Sequence, residues 1–207
     1  MEIRRLPQNL INQIAAGEVV ERPSSAVKEL IENSLDAKAT QIDIIADNGG
    51  KNLISVSDNG IGIQKEQIPL AIERHATSKL PNNTLNKIEH LGFRGEALPS
   101  IAAISELNLQ SKYINSNQAW SLDIVAGDFN EVYPSSLEIG TRVNIKNLFF
   151  ATPARLKFLK SSQVEKSYCH QAILKMALVN PVVGFSFKAD RREILNIKPE
   201  NKSDELY

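Results

Sequence analysis

The sequence predicts an α+β fold in which helices pack on a mixed, largely antiparallel sheet. Two helical patterns open the chain and feed straight into a hairpin signal, Asn48-Gly49-Gly50, set between two short strand-like runs. Helical and strand-like runs are then mixed along the rest of the chain, with several further hairpins. No internal repeat or low-complexity tract interrupts this order.

Taken in sequence, "NLINQIAAGEVV" (9–20) spaces Leu10, Ile14 and Ala15 for one face of a short helix ending near Gly17. "ERPSSAVKELIENSLDA" then places Pro23 at a first helical position and Val27, Leu30, Ile31, Ser34 and Leu35 at helical spacing, which predicts a helix over 23–36. Two strands flank the Asn-Gly-Gly turn within 40–58. Helical patterns follow at 64–73 and 84–90, then a glycine-bracketed loop at 92–95 and a helix to about 103. Strands are expected at 106–112, 118–125, 129–133 and 141–147. A helix begins at Pro153, a longer one covers 163–179, and strands at 182–188 and 193–197 close the pattern. The polar tail "KPENKSDELY" has no closing element. The expected organisation is one domain over 1–200, with 201–207 a truncated linker or the start of a missing second domain.

The 207 residues carry 24 Lys plus Arg against 24 Asp plus Glu, so no net field announces nucleic acid or an anionic membrane. Cys169 is the single cysteine, which excludes a disulfide framework and a cysteine-rich zinc site and favours a reducing compartment. Charges interrupt every apolar run before the roughly 18 residues of a spanning helix, and "MEIRRLPQNL" lacks the apolar core of a signal peptide. A soluble cytoplasmic protein without a membrane partner is expected.

The stretch "KELIENSLDA" (28–37) puts Glu29, Glu32, Asn33 and Asp36 on one predicted helix. At about 100° per residue, Val27, Leu30, Ile31 and Ser34 gather on one side, while Glu29, Asn33 and Asp36 fall opposite. Alone, this is an ordinary amphipathic helix with its charges in water. "SDNGIGI" (57–63) ends a strand with an acid and two nearby glycines, alone an ordinary turn. "RHATSK" (74–79) is alone a polar connector. "LGFRGEAL" (91–98) brackets an arginine with Gly92 and Gly95 before a helix start, an arrangement able to aim N–H groups at an anion, although a plain loop with a surface arginine competes. Neither a G-x-x-x-x-G-K-[ST] loop nor a G-x-G-x-x-G fingerprint is present, so any nucleotide binds by another design.

Together and in this order, "NQIAAGEVVERPSSAVKELIENSLDA", "DNGIGI", "RHATSK", "LGFRGEAL" and "GTRV…LFFATPAR" resemble the N-terminal ATPase region of the MutL family of DNA mismatch-repair proteins. That region belongs to the GHKL ATPases, with type II topoisomerase subunits, heat-shock chaperones and histidine kinases. The resemblance covers about residues 8–159. It implies a Bergerat-type two-layer sandwich whose helices line a pocket for ATP and Mg2+. By the same resemblance, Glu29 matches the general base for water attack on the γ-phosphate, and Asn33 matches the magnesium ligand. Their i,i+4 spacing, about 6 Å of helix rise, can place a carboxylate beyond the γ-phosphate while the amide holds the metal. Asp58 matches the acid that accepts from adenine N6, with Gly60 and Gly62 letting the backbone pass close to the base. Thr141 matches the residue that helps hold that acid and its water. Thr77, Ser78 and Lys79, with Gly92, Phe93, Arg94, Gly95, Glu96, Ala97 and Leu98, match the lid over the phosphates. Glu32 and Asp36 are left to solvent or to a supporting role.

Two positions depart from the family pattern: Lys38 stands where many members have glycine, and Ala151 replaces a common asparagine. Elsewhere the adjacent Cys169 and His170 point to different sides of a helix, Trp120 reads as packing, and His75 as a satisfied structural histidine, with a sensor of the lid as the alternative.

The resemblance therefore implies a slow magnesium-dependent ATPase. ATP would order its lid and residues 1–20, and this surface would pair with a second copy. The implied partners are the mismatch-recognition protein MutS and a downstream nuclease or helicase, with DNA bound weakly. A module that binds ATP without turning it over, another GHKL enzyme such as a topoisomerase subunit, and a pure interaction domain remain as alternatives.

Overall fold

A computed structural model describes residues 3–76 and 95–200. The expected helical pattern at 84–90 and the loop residues 92–94 lie outside the described residues, as does the segment 201–207.

Helix α1 (Gln8–Val19) leads into α2 (Pro23–Asp36). Pro23 opens α2 at a position where its missing N–H costs nothing, and the extended backbone of Arg22 sets the entry. The helix ends at a turn in which Lys38 takes a φ of 62°. Strands β1 (Gln41–Asp47) and β2 (Leu53–Asp58) form the expected antiparallel hairpin, closed by a tight 3-10 turn over Asn48–Gly50.

Residues 64–73 depart from the expected helix. They form two separate 3-10 turns, Lys65–Gln67 and Leu70–Ile72. Pro69 falls between them, and without an N–H it cannot join a continuous helical ladder. After α3 (Ala97–Ala103) come β3 (Glu106–Lys112) and β4 (Ala119–Val125). The single strand expected at 129–133 is instead two short ones, β5 (Asp128–Phe129) and β6 (Tyr133–Ser135), both pairing with β4. Then follow β7 (Gly140–Lys146), the one-turn α4 (Pro153–Leu156), the long α5 (Ser162–Leu178), β8 (Gly184–Ala189) and β9 (Arg192–Ile197).

The strands form one sheet in the order β5-β4-β3-β7-β2-β1-β8-β9, with β6 beside β4. Every pairing is antiparallel except β1 with β8, where α5 precedes the returning strand. The helices cover one face. Ile42, Ile44, Ile54, Val56, Leu107, Leu109, Val143, Ile145, Phe185 and Phe187 meet Val27, Leu30 and Ile31 of α2, Ile101 of α3 and Ile173 of α5 in a single buried core. Each such side chain, fully buried, contributes about 1.5–3 kcal/mol. The opposite face is polar, and a hydrogen-bonded row crosses it: Ser55 to Asn144 (2.7 Å), Asn144 to Asn108 (3.3 Å) and Asn108 to Asp123 (2.7 Å).

The sandwich matches the fold read from the sequence, and it places the carboxyl-terminal part of α2 beside the end of β2.

Candidate nucleotide site

Register builds the site. The pairing of β2 with β7 sets Asp58 opposite Thr141, and the pairing of β7 with β3 sets Thr141 opposite Ser111. Asp58 is half-buried at the end of β2, and its carboxylate is held from three directions. Oδ1 accepts the N–H of Gly60 (2.9 Å) and the N–H of Thr141 (3.3 Å), while Oδ2 accepts the hydroxyl of Ser34 (2.8 Å). Burial pushes its pKa above the ordinary 3.8, and the three hydrogen bonds, which favour the charged form, oppose that rise. The carboxylate is thus fixed in direction before any ligand arrives, with one acceptor position of Oδ2 left for an amino group.

The glycines beside it serve the protein's own backbone. Gly62 has a φ of 71°, and a Cβ there would lie 2.1 Å from the carbonyl oxygen of Lys112. Gly140 has a φ of 129°, and a Cβ would meet the carbonyl oxygen of Asp58 at 2.0 Å. Both need the left-handed region that only glycine enters freely. At Gly60 a Cβ would come within 2.7 Å of the carbonyl oxygen of Ala37, so this loop lies directly on the end of α2.

Two serines in this arrangement carry no motif of their own. Ser34 sits on the buried side of α2, where helical spacing groups it with the apolar residues, yet its hydroxyl turns to Asp58. The same Oγ lies 3.1 Å from the carbonyl oxygen of Leu30, so its single proton serves one acceptor at a time. Ser111 is fully buried; it accepts the N–H of Ile63 (2.8 Å) and lies 3.0 Å from the carbonyl oxygen of Gly140 and 2.9 Å from the hydroxyl of Thr141. Thr141 therefore holds Asp58 through its backbone while its side chain is taken up by Ser111. An unexplained buried polar residue inside a strand pattern was the only available signal for Ser111.

Glu29, Asn33 and Asp36 line the half-buried side of α2, away from Val27, Leu30 and Ile31. Glu32, expected in solvent or in support, is buried and paired with Lys28 at 2.9 Å. That contact is the first cause of the raised Lys28 pKa, and the charge of Glu29 adds to it. Among the described residues no group of three or more His, Cys, Asp or Glu side chains could hold a metal. A magnesium ion that keeps its water and takes phosphate oxygens needs few protein ligands, so the Asn33 amide oxygen suits it.

Of the segment expected to cover the phosphates, Gly95, Glu96, Ala97 and Leu98 are described; Thr77, Ser78, Lys79, Gly92, Phe93 and Arg94 lie outside the described residues. Gly95 has a φ of 62° before α3, and Glu96 lies 3.6 Å from His75. His75 has a largely exposed side chain and a φ of 63°, and its partner is Glu96 at the surface. Trp120 packs as expected and also receives Lys65, whose Nζ lies 4.0 Å from the ring centroid. Cys169 is buried, and His170 stacks on Phe187 at 6.5 Å.

Residues 21–145 match the family described as histidine kinase-, DNA gyrase B-, and HSP90-like ATPase. Among curated proteins, the chain is 48% identical over 197 residues to a DNA mismatch repair protein MutL of Paramagnetospirillum magneticum, covering 95% of this chain and 32% of that one. It is 46% identical over 205 residues to its counterpart from Rickettsia bellii, with 99% and 34% covered. The chain thus spans about a third of the length of these relatives. Among solved structures, the Aquifex aeolicus MutL ATPase domain complexed with ADP superposes with a TM-score of 0.75 at 33% identity, over 88% of this chain and 66% of that one. The N-terminal domain of a DNA repair protein gives a TM-score of 0.78 at 30% identity, over 92% and 57%.

Proposed function

Because the chain belongs to the histidine kinase-, DNA gyrase B- and HSP90-like ATPase family, and within it is an ATPase domain of the MutL type, we propose that it binds ATP with magnesium and hydrolyses it slowly. The observation that carries this reading is the Asp58 carboxylate, held by three donors, one of them Ser34 of the helix that also carries Glu29 and Asn33.

The residues divide the work. Asp58 accepts from the adenine N6 amino group, and guanine, with an acceptor at the corresponding position, leaves that carboxylate without a donor. Asn33 would hold a magnesium ion through its amide oxygen, and that ion would supply charge neutralisation on the phosphates. Glu29, one helical turn earlier, orients the attacking water and takes its proton as the bond from water to the γ-phosphorus forms and the bond to the β–γ bridging oxygen breaks, so that ADP leaves. Ser34, on the same helix, adds one of the three donors to the Asp58 carboxylate, while the other two, Gly60 and Thr141, lie outside that helix.

In the complete protein, turnover would time the pairing of two copies and the recruitment of a mismatch-recognition protein of the MutS kind and a downstream nuclease or helicase. Support for pairing comes from α1, which exposes Leu10, Ile11 and Ile14 along one side, with Leu6 just before it. The covering role of Thr77–Lys79 and Gly92–Leu98 rests on the likeness to MutL. Weak DNA binding suits the zero net charge.

Steady-state hydrolysis with magnesium, run beside nucleotide binding on the native chain and on Glu29→Ala, tests the assignment. The variant should bind ATP and lose turnover. Equal rates in both proteins would sink the role of Glu29, and binding without hydrolysis in either would make the nucleotide a structural ligand only.

A further inference from the structure

The junction between α1 and α2 is gripped from two sides by residues that the ATPase chemistry does not use. Arg155, in α4, points its guanidinium at the carboxyl end of α1: Nη1 lies 3.0 Å from the carbonyl oxygen of Gly17 and 3.3 Å from that of Val20. One nitrogen carries two protons, so it can serve both carbonyls, which the end of the helix leaves without intrahelical donors. The fit is close. A Cβ on Gly17 would lie 1.7 Å from Nη2 and 2.3 Å from Cζ of Arg155.

On the other side, the fully buried Glu165 of α5 sets Oε2 at 3.8 Å from Nη1 of Arg22, the residue that caps α2, while its Oε1 accepts the N–H of Lys160 at 2.9 Å. Arg22 also lies over the ring of Tyr168, 4.6 Å from its centroid.

Only Val20, Glu21 and Arg22 separate α1 from the helix that carries Glu29 and Asn33, and Val20 is itself fully buried. Gly17, Val20, Arg155 and Glu165 all lie outside residues 21–145, the part that matches the general ATPase family. Arg22 alone of the clamp residues lies within that part.

Resting on the ATPase reading above, we propose that Arg155, seated against Gly17 and assisted by the Arg22–Glu165 pair, is a positioning residue that sets α2 and so determines where Glu29 sits. Setting the helix affects the geometry of water attack more than the binding of adenine, which the sheet holds at Asp58. Removing the clamp therefore lowers kcat and leaves the KM for ATP in place.

The test uses the full-length protein with Arg155→Ala, Arg155→Lys, Gly17→Ala and the double variant Gly17→Ala/Arg155→Ala. Gly17→Ala is the discriminating change: alanine is the better helix former, so α1 itself is not weakened, yet the methyl displaces the guanidinium. Both alanine variants should lower kcat on the order of 10-fold with KM held within about two-fold, and the double variant should fall no further. Lysine, which keeps a donor but loses the planar fork, should restore part of the rate. Hydrogen exchange should quicken at the end of α1 and also in the first turn of α2. An unchanged kcat in Gly17→Ala, a KM that rises as kcat falls, or faster exchange confined to α1 would overturn the proposal. If the native protein binds ATP but shows no turnover, the ATPase reading fails by itself, and exchange in the first turn of α2 still decides whether the clamp sets that helix.

Discussion

The two ends of the candidate site, at Asp58 and at Glu29, are built differently. At the Asp58 end, three segments from distant parts of the sequence converge: β2 supplies the acid, β7 an N–H, and α2 a hydroxyl, with the Gly60 loop closing the fourth side. That end is as rigid as the sheet that sets its register. At the Glu29 end the groups proposed to act on the phosphates come from a single helix, and their placement follows how that helix is seated. In the proposed division of roles, recognition is a property of strand pairing and chemistry a property of helix position. Damage to one end should therefore leave the other nearly intact.

The sharpest break in that comparison is Glu29→Ala. Loss of a general base should lower turnover by about 10²–10⁴-fold with nucleotide affinity within about two-fold, read by single-turnover hydrolysis beside equilibrium binding. Asp58→Ala should do the reverse. Losing a charged acceptor costs about 2–3 kcal/mol of binding, about 30- to 150-fold in Kd, while ATP that does bind at saturating concentration is still hydrolysed. If Asp58→Ala also lowers saturated turnover by more than about tenfold, the two ends are not separable.

A pH series sharpens the same contrast. Burial raises the Asp58 pKa above 3.8, so the folded chain takes up this proton at a higher pH than the unfolded chain does. In the ligand-free protein the contribution of Asp58 to stability is therefore fully present below its unfolded pKa and is lost as pH rises through its folded pKa. Adenine binding runs the other way, because a protonated carboxyl no longer accepts as a carboxylate: affinity falls as pH drops through the folded pKa. Adenosine is the suitable ligand, since it has no phosphate to titrate. Ser34→Ala, which removes one donor that favours the charged form, should move the midpoint of that loss to higher pH. A midpoint that stays fixed would show that Ser34 spends its proton on Leu30.

The sequence made one of these ends far more readable than the other. The span of α2, from Pro23 to Asp36, follows from its proline start and its apolar spacing, and the Glu29 side follows from the same wheel. Asp58 and Thr141 are named by local motifs. What holds them is not: Ser34 looks like a small residue on the apolar face, and Ser111 like a polar residue astray in β3, until strand register sets them beside their partners. Arg155 and Gly17 are 138 positions apart, and no periodicity links them. Local patterns also overran at 64–73, where Pro69 divides an apparently helical run, and at 129–133, where one run becomes two short strands. Helix spacing is a local property; a hydrogen bond between segments depends on the whole topology.

The smallest expected effect comes from the turn that joins the two ends. Lys38 stands at a φ of 62° directly after α2, in a conformation that costs a non-glycine residue about 1–2 kcal/mol. The turn is held by its backbone: the N–H of Lys38 donates to Leu35 (2.9 Å), that of Ala39 to Ser34 (3.1 Å), and Ala37 accepts from Ile61 (2.9 Å). Lys38→Gly relieves the strain without touching those bonds, but it also gives the unfolded chain more freedom, which takes back roughly 0.5–1 kcal/mol. The net gain should be about 0.5 kcal/mol, seen as a rise in Tm of about 1–2 °C. Affinity and turnover should both stay put, because neither Ser34 nor the Gly60 loop loses a partner. A change in adenosine affinity beyond about twofold would show that the strained turn itself holds the Asp58 loop in place. The boundary between the two ends would then fall inside α2 rather than at its close.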